Sequence, residues 1–295
     1  MTTDEYPEEL RRQVELYLAE LTFADAETAD AEGLEEAMRY SLLAGGKRIR
    51  PVLALATARA IGEPAERVLP IAAALELIHT YSLIHDDLPA MDDDDLRRGR
   101  PTCHKAFGEN VAILAGDGLY AEAFRHVLDH QQGEPAAILA AVRELAAATG
   151  VNGMVGGQYL DVTDAARDAA GLRHLHALKT GRLIGASIMC PLLLAPSQSR
   201  ATIDAFRSFA SELGVLFQIV DDILDVVGTD DALGKTQGSD ERLGKRTYVS
   251  EFGLDRAREL AAESHRNARA ALAAAAPGGA GELAQITDFI YTRTS

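Results

Sequence analysis

The 295-residue sequence contains no tryptophan, only two cysteines and few aromatic residues, which make up 5% of the chain. Cys103 and Cys190 provide neither a disulfide framework nor the spacing of a metal site, which fits a reducing compartment. Positive charge is also scarce, because 29 Lys and Arg against 45 Asp and Glu give a net charge of −16. This deficit argues against a general nucleic-acid binder and against a protein held at anionic membranes.

Several common functional motifs are missing as well. The sequence has no P-loop, no HExxH zinc motif, no glycine-rich dinucleotide loop and no EF-hand spacing. The N-terminal stretch is acidic and amphipathic, so it resembles neither a signal peptide nor a transit peptide. The most apolar later segment, LIGASIMCPLLLA, is too short to span a bilayer. We therefore expect a cytoplasmic protein without stable membrane insertion.

Hydrophobic residues make up 47% of the chain, alanine is abundant, and no stretch shows a useful strand alternation. Apolar residues instead recur every three or four positions, which predicts helices throughout. No linker-like change of composition interrupts this pattern, so we predict one all-α domain over residues 1–295. The pattern predicts a helix of about twelve residues directly after the KRIRP segment. The other predicted helices are Gly33–Leu43, Glu66–Asp87, His104–His130, Pro135–Thr149, Leu172–Leu194, Thr202–Val227, Leu254–Ala275 and Leu283–Tyr291.

The most distinctive stretch is His85–Thr102, with the sequence HDDLPAMDDDDLRRGRPT. It places six aspartates within ten positions and continues directly into Arg97, Arg98 and Arg100. Mg²⁺ prefers carboxylate and phosphate oxygens, and guanidinium groups match phosphate oxygens two at a time. We interpret the stretch as a metal-bridged phosphate site. A solvated charge cluster and a Ca²⁺-binding loop are the alternatives.

A second acidic stripe lies on the predicted helix Thr202–Val227. Gln218 and three aspartates, at positions 221, 222 and 225, alternate there with a stripe of core-type residues. Asp221 and Asp225 differ by about 40° around a helix axis, so we expect their carboxylates to face the same way. Unpaired carboxylates are costly within the apolar run FQIVDDILDVV. The pattern favours a metal or a cationic partner over a structural salt bridge.

Two further features suggest the wall of a phosphate-binding cleft. A Gly-Gly pair ends the helix Gly33–Leu43, and the basic turn that follows contains Lys47 and Arg50. A basic turn at a helix N-terminus can bind an anion, although it can also be merely solvated. On the helix Glu66–Asp87, His79 and Ser82 lie on one stripe with Asp86. An isolated histidine on such a helix is more often a hydrogen-bonded core residue.

The middle of the chain adds glycines and a polar pair. Gly153, Gly156 and Gly157 would let two helices approach closely, and packing is the simplest interpretation of them. Gln158 and Asp161 lie three positions apart, which places both on one helical face. We rank this pair as a weak candidate for a supporting role in the site.

Taken in chain order, GGKRIRP, the long aspartate-rich stretch, the Lys179-Thr180-Gly181 triplet, FQIVDDILD and LGKTQGSD resemble the signatures of short-chain isoprenyl diphosphate synthases. The resemblance covers almost the whole chain and is closest to bacterial farnesyl diphosphate synthases. It implies an all-α helical bundle around a deep central cavity and a homodimer. It also implies several Mg²⁺ ions in each active site, with Mn²⁺ able to substitute. The implied reaction is head-to-tail condensation of an allylic diphosphate, dimethylallyl or geranyl, with isopentenyl diphosphate, which releases diphosphate.

The resemblance also implies roles for individual residues. The implied metal ligands are Asp86, Asp87, Asp92, Asp221, Asp222 and Asp225, and the other aspartates of the first stretch are assigned to its loop. The implied catalytic residues are Asp86, Asp87, Asp92, Lys179, Asp221 and Asp222. The implied isopentenyl diphosphate site consists of Lys47, Arg50, His79 and Arg98. The implied allylic diphosphate site consists of Arg97, Lys179, Thr180, Gln218 and Lys235.

In this family, bulk just upstream of the first aspartate sets the depth of the cavity. Tyr81 lies five positions before Asp86, about 7.5 Å deeper along the helix, and Ser82 is its neighbour. An aromatic residue there, together with the inserted Pro89-Ala90, resembles bacterial enzymes that stop at fifteen carbons. We therefore predict farnesyl diphosphate as the main product, with geranylgeranyl or geranyl diphosphate as the alternatives.

Two rival functions share this fold. A terpene cyclase would not need a second diphosphate site, and a catalytically silent partner subunit would have lost carboxylates from one motif. Both aspartate motifs are complete here. One departure from the family is Arg182, since most members carry a small residue at that position. Arg182 lies one turn from Lys179, so it either adds a cation to the diphosphate site or points into an interface.

Overall fold

A computed structural model describes residues 6–24, 31–195, 198–228 and 245–293. Helices account for almost all of this structure, which confirms the predicted all-α fold, while the extent of the domain over 1–295 stays a prediction. The first eleven helices are α1 Glu8–Glu20, α2 Glu32–Leu42, α3 Ile49–Ala60, α4 Leu69–Asp86, α5 Cys103–Phe107, α6 Glu109–His130, α7 Pro135–Thr149, α8 Met154–Val162, α9 Ala169–His176, α10 Arg182–Leu194 and α11 Arg200–Val227. The last three are α12 Tyr248–Phe252, α13 Leu254–Ala275 and α14 Gly281–Thr292. A short antiparallel hairpin pairs β1 Leu96–Arg97 with β2 Arg100–Pro101.

Helix α4 is the centre of the bundle. Of its 18 residues 12 are buried, and it contacts α1, α2, α3, α6, α7 and α10. A helix that is apolar on all sides must be covered on all sides. Because its neighbours surround α4, its last turn delivers Asp86 from inside the protein rather than from an exposed surface.

The predicted helix Leu172–Leu194 is interrupted in the structure. A wider π-helical turn, Ala177–Gly181, separates α9 from α10. Gly157 of α8 packs against this turn so closely that a Cβ atom there would lie 2.2 Å from the backbone nitrogen of Lys179. The glycine-rich segment thus permits the close helix approach expected of it. Two other predicted helices differ from the structure. Gly108 (φ +90°) divides the predicted helix His104–His130 into α5 and α6. The helix predicted from Glu66 begins with a 3₁₀ turn, Ala65–Val68.

Three helical stretches are long and apolar enough to cross a membrane by length and composition: Ala65–Asp86, Pro135–Val162 and Ala169–Leu194. The fold buries 67% of the most apolar part of the first stretch and 56% of that of the third. Their hydrophobicity therefore serves the core of the bundle. The second stretch is only 33% buried, and part of its apolar surface faces outward.

A buried ion pair fixes the basic turn against α4. Arg48 has a left-handed backbone conformation (φ +53°) just before α3, and its side chain is fully buried. Its Nη1 lies 2.6 Å from Oε1 of Glu76, its Nε lies 2.8 Å from Oε1 of Glu15, and its Nη2 donates to the carbonyl of Leu42. One guanidinium thus joins α1, α2 and α4 next to the predicted anion-binding residues.

We predict that Arg48→Met lowers the free energy of unfolding by about 3–5 kcal/mol, because it leaves the Glu76 carboxyl buried without its partner. Chemical denaturation monitored by circular dichroism measures the loss. The matched control is Arg59→Met, which removes a partly exposed pair with Glu9 and Glu282 and should cost about 0–1 kcal/mol. Equal losses for the two variants would show that the buried pair does not hold the turn.

Candidate active site

A cavity of about 590 Å³ opens between α4, α8, the π-helical turn and α11. Its wall combines charged groups with apolar side chains from α8 and from the segment that follows α4. Its lining residues include Arg50, His79, Tyr81, Ser82, Asp86, Arg97, Arg98, Lys179, Thr180 and Asp221. Most residues singled out in the sequence therefore meet in one place, although they come from segments more than a hundred positions apart.

One end of the cavity is cationic. Arg50, His79 and Arg98 line it, and the side chains of all three lack a hydrogen bond or ion pair to any residue that the structure describes. Burial lowers the pKa of Arg50 to about 10. Burial also lowers the pKa of His79 well below its ordinary value, and the neighbouring Arg50 and Arg98 lower it further. A neutral histidine beside two unpaired guanidinium groups is suited to a phosphate.

The hairpin and the glycine turn bring Arg98 to this end. Arg98 has a left-handed backbone conformation (φ +54°) in the turn between β1 and β2. A Cβ atom at Gly46 would lie 2.5 Å from its guanidinium carbon. Gly46 therefore both ends the turn after α2 and leaves the space that Arg98 occupies. Lys47, the fourth residue predicted for this site, is exposed and lies 5.1 Å from the ring centroid of Phe289.

The other end of the cavity carries Asp86 and Lys179. Gln158 Nε2 donates to Asp86 Oδ1 over 2.8 Å, and burial raises the pKa of the Asp86 carboxyl to about 6, against the opposing effect of Lys179. Lys179 Nζ donates to Asp161 Oδ2 over 2.5 Å. Gln158 and Asp161, the polar pair on α8, thus form hydrogen bonds with Asp86 and Lys179, respectively.

Asp87 and Asp92 of the first stretch are bound to cations of the chain itself. Asp87 is 3% exposed and accepts two hydrogen bonds from Arg97 Nε, with Arg97 Nη2 2.6 Å from its Oδ1. Asp92 Oδ1 accepts from Lys245 Nζ over 2.7 Å, and its backbone N–H donates to the Asp86 carbonyl. Arg97 therefore lines the cavity and forms an ion pair with Asp87, which does not line it.

The aspartates of α11 do not share one environment, which differs from the expectation for Asp221 and Asp225. The side chain of Asp221 is 56% exposed on the cavity wall, and its Oδ1 lies 3.1 Å from Arg293 Nη2. Asp225 is only 5% exposed. Asp222, which is 2% exposed, accepts from the backbone N–H of Tyr248 at the start of α12. Packing of α12 against α11 buries one side of the acidic stripe and leaves Asp221 on the open side.

A hydrogen-bonded chain joins the π-helical turn to α11. Thr180 Oγ1 donates to Gln218 Oε1 over 2.7 Å, and Gln218 Nε2 donates to Asp222 Oδ1 over the same distance. Thr180 itself faces the cavity. The two residues predicted to hold the allylic diphosphate are thus fixed to each other, with Asp222 behind them.

The described residues contain no preformed cluster of three or more metal-ligating side chains. The donor chemistry nevertheless fits Mg²⁺, which takes carboxylate oxygens. Asp92 and Asp221 each face a Lys or Arg side chain from a distant segment, so cationic charge is already required where a metal ion would bind. Asp86, Asp92 and Asp221 are the best placed ligands, whereas Asp87, Asp222 and Asp225 are buried.

The deep end of the cavity is aromatic. Tyr81 is 9% exposed, and its ring meets those of His85 and Tyr120 edge to face at centroid distances of 5.6 and 5.0 Å. Tyr120 in turn contacts Phe124. Ser82 also lines the cavity, but its hydroxyl donates to the carbonyl of His79 within α4. The structure thus surrounds Tyr81 with residues of α6 that the sequence gave no reason to select.

Sequence reasoning also missed two cations that contact the acidic motifs. Arg293, which follows α14, binds Asp221 and lies 4.4 Å from the ring centroid of Phe217. Lys245, which binds Asp92, follows α11 in the sequence but belongs to none of the motifs. Both are far away in sequence, and no motif marks Arg293. Lys235, predicted for the allylic diphosphate site, lies outside the described residues.

Comparison with known proteins agrees with this arrangement. The chain is 45% identical over 264 residues to farnesyl diphosphate synthase of Geobacillus stearothermophilus, covering 88% of each chain. It is equally 45% identical over 264 residues to a chloroplastic geranylgeranyl pyrophosphate synthase of Capsicum annuum, covering 88% of this chain and 71% of that protein. A solved structure, the geranyltransferase of Helicobacter pylori complexed with magnesium and isoprenyl diphosphate, superposes with a TM-score of 0.81 at 32% identity, covering 95% of this chain and 93% of that one.

A model of one protein family, described as polyprenyl synthetase, matches residues 31–276. This range contains the basic turn, both aspartate motifs and the Lys179-Thr180-Gly181 triplet. Together with the cavity in which these segments meet, the match shows that the chain belongs to the polyprenyl synthetase family.

Proposed function

We propose that this polyprenyl synthetase condenses an allylic diphosphate with isopentenyl diphosphate head to tail, releases diphosphate and makes farnesyl diphosphate as its main product. One observation carries the proposal: a single cavity is lined by cations that lack an ion pair among the described residues, by carboxylates and by apolar side chains. Two diphosphates can bind there in different ways, one directly through cations and one through metal ions. Relatives named as farnesyl and geranylgeranyl synthases support this reading.

Isopentenyl diphosphate is assigned to the cationic end. Arg50 and Arg98 supply charged donors that no described residue satisfies, and neutral His79 supplies a further polar contact. Lys47 lies at the exposed rim of the same turn. The Arg48–Glu76 pair holds this turn in place, so the donors are positioned before the substrate arrives.

The allylic diphosphate is assigned to the carboxylate end. Mg²⁺ bound there would neutralise the charge that develops on the leaving diphosphate, and the similar geranyltransferase of Helicobacter pylori is complexed with magnesium. Asp86, Asp92 and Asp221 present the carboxylates that would hold the metal ions. Lys179 and Thr180 face the same space, where an ammonium group and a hydroxyl can bind phosphate oxygens directly.

Apolar residues of the cavity wall protect the reaction from water. Loss of diphosphate breaks a carbon–oxygen bond and leaves an allylic cation, and the double bond of isopentenyl diphosphate then forms the new carbon–carbon bond. A proton leaves the product, and the departing diphosphate is the base, so no side chain is assigned that role. Met154, Val155 and Leu83 line the cavity wall and exclude water from the cation.

The rival functions are disfavoured by particular features of the site. A terpene cyclase has no use for a second diphosphate site, yet Arg50 and Arg98 line the cavity without an ion pair to any described residue. A silent subunit would lack carboxylates that are present here. Relatives named for fifteen-carbon and twenty-carbon products are equally similar to the chain and do not distinguish the two, so we assign product length to Tyr81 on its position in the cavity wall.

A homodimer is part of the proposal, because exposed apolar side chains recur along one side of α6 in the described part of the chain. Leu114, Ala121 and Leu128 recur at seven-residue intervals along the exposed side of α6. Val155 and Tyr159 of α8 are also largely exposed, although they line the cavity wall. A second copy of the chain on this face would bury the stripe and close the wall.

We predict that the protein, given Mg²⁺, isopentenyl diphosphate and either dimethylallyl or geranyl diphosphate, yields farnesol after dephosphorylation and chromatography. Asp221→Ala should reduce single-turnover conversion by about a hundredfold or more, because it removes stabilisation of the leaving group's charge. Asp204→Ala is the control, since that residue forms only an exposed pair on the same helix. Cyclised hydrocarbon or no product contradicts the proposal, and near-normal turnover by Asp221→Ala contradicts the role of the second motif.

We predict that Tyr81→Ala lengthens the main product by at least one isoprene unit, because it removes the ring that ends the cavity. Tyr81→Phe keeps the ring and should keep the product length. Chain lengths are compared by chromatography of the alcohols. If both variants make the wild-type product, Tyr81 does not set the floor.

We predict that Leu114→Glu converts the dimer to a monomer, because a carboxylate in the apolar seam would be desolvated without a partner. Sedimentation velocity measures the change at several protein concentrations. Leu16→Glu is the control, since Leu16 is 58% exposed on α1, away from the stripe on α6. A wild-type monomer, or loss of the dimer in both variants, would rule out this face.

A further inference from the structure

A second cavity, of about 260 Å³, lies at the π-helical turn among α7, α9, α10, α11 and α12. It shares no lining residue with the reaction cavity. Its polar wall residues are Glu144, Arg173, His176, Arg182, Arg207, Ser211 and Tyr248. No residue of the aspartate motifs lines it, so the proposed reaction gives it no role.

Three arginines on different helices face this second cavity. Arg173 belongs to α9, Arg182 to α10 and Arg207 to α11. In the part of the chain that the structure describes, none of the three forms a hydrogen bond or an ion pair. One carboxylate, that of Glu144, lines the cavity with them. All three arginines are exposed, and three guanidinium groups without an ion pair around one hollow favour the binding of an anion there.

His176 supplies an independent indication of a missing ligand. Its side chain is about nine-tenths buried, it lines the cavity, and neither ring nitrogen has a hydrogen-bond partner among the described residues. The ring stacks on Tyr248 at a centroid distance of 5.5 Å, and its Nε2 lies 3.9 Å from Asp222 Oδ2, beyond hydrogen-bond distance. A buried polar group without a partner is costly, so such groups are usually satisfied by protein, water or a ligand.

The rest of the wall is apolar and leaves room for a small group. Met189, Ala210 and Val215 line it, and a Cβ atom at Gly185 would meet no atom within 4 Å. The volume lies just below the range of about 300–1,000 Å³ typical of drug-sized ligands. The cavity therefore suits a compact anion that carries a short apolar chain.

The π-helical turn explains why Arg182 contributes here rather than at the reaction cavity. In a regular helix, Arg182 would lie one turn above Lys179 on the same face. The wider turn at Ala177–Gly181 changes this register, so that Lys179 lines one cavity and Arg182 the other. Arg182 therefore does not add a cation to the reaction cavity, and its place in an interface stays a prediction.

We propose that the cavity bounded by Arg173, His176, Arg182 and Arg207 is a second anion site that binds a diphosphate group carried on a short apolar chain. The guanidinium groups contact the phosphate oxygens, His176 donates to the same anion, and the Met189 side of the wall contacts the chain. Ala177 and Gly181, which belong to the π-helical turn with Lys179 and Thr180, form part of the wall. A bound ligand thus contacts the reverse side of the segment that carries two active-site residues.

The test counts binding sites by equilibrium dialysis, with isopentenyl diphosphate as the probe and with EDTA present, so that no reaction occurs. The wild-type protein should bind two molecules per chain. Arg207→Gln removes one donor, and Gly185→Leu fills the cavity without changing its charge. Each should weaken one site at least tenfold and leave the other unchanged. Arg207→Gln does so because it removes a charged hydrogen-bond donor, and Gly185→Leu does so because its side chain occupies the space of the ligand.

The controls separate this site from the reaction cavity. Arg200→Gln, an exposed change on the same helix as Arg207, should keep both sites. Arg50→Gln should remove only the site in the reaction cavity. If Arg50→Gln leaves both sites intact while Gly185→Leu removes one, the second site stands and the proposed function loses its isopentenyl diphosphate site.

Two results would overturn the assignment. One is a single wild-type site that Arg50→Gln abolishes, and the other is two sites that neither Arg207→Gln nor Gly185→Leu affects. Inorganic diphosphate and inorganic phosphate, dialysed in parallel, distinguish the source of the anion. At the second site both should bind at least tenfold more weakly than isopentenyl diphosphate, and equal affinity would overturn the part of the proposal that concerns the apolar chain.

Discussion

The burial of α4, where 12 of 18 residues are shielded from solvent, is the constraint on which the rest of the structure depends. A helix with so few polar positions has to be covered by its neighbours, and this forces the bundle to form around it. Its polar positions therefore cannot be solvated in the ordinary way. Glu76 is matched by Arg48, while His79, Ser82 and Asp86 face a cavity instead of a packed neighbour. The same burial that stabilises the bundle thus creates the site.

A second consequence is that carboxylates and cations must balance locally. Asp87, Asp92 and Asp221 are paired with Arg97, Lys245 and Arg293, respectively. The partners of the last two come from the C-terminal part of the chain and meet the acidic motifs only after the bundle has folded. A metal ion at Asp92 or Asp221 would compete with Lys245 or Arg293 for the same carboxylate oxygens. The charge pairs are therefore part of the site as well as of the fold.

Much of this could be predicted from the sequence, because helical periodicity and a run of aspartates are local signals. The bounds of α7 and α13 match their predictions, and family membership confirms the expected prenyltransferase. What could not be predicted depends on contacts between distant segments. Nothing near Asp225 shows that packing will bury it while Asp221 stays open. Arg293 lacks any motif, and its role follows only from the position of α14 beside α11.

The π-helical turn shows how one local irregularity can serve two sites. Gly157 on one side and Gly214 on the other pack against its backbone, and a Cβ atom would lie 2.2 Å from the Lys179 nitrogen at the first and 3.0 Å from the Gly181 Cα at the second. A regular helix would align Lys179 with Arg182 and concentrate both charges at one cavity. The wider turn instead gives each cavity its own cation while the two share one rigid backbone segment. Because that segment is packed rather than flexible, a ligand on one side can affect the other only by changing the position of the whole turn.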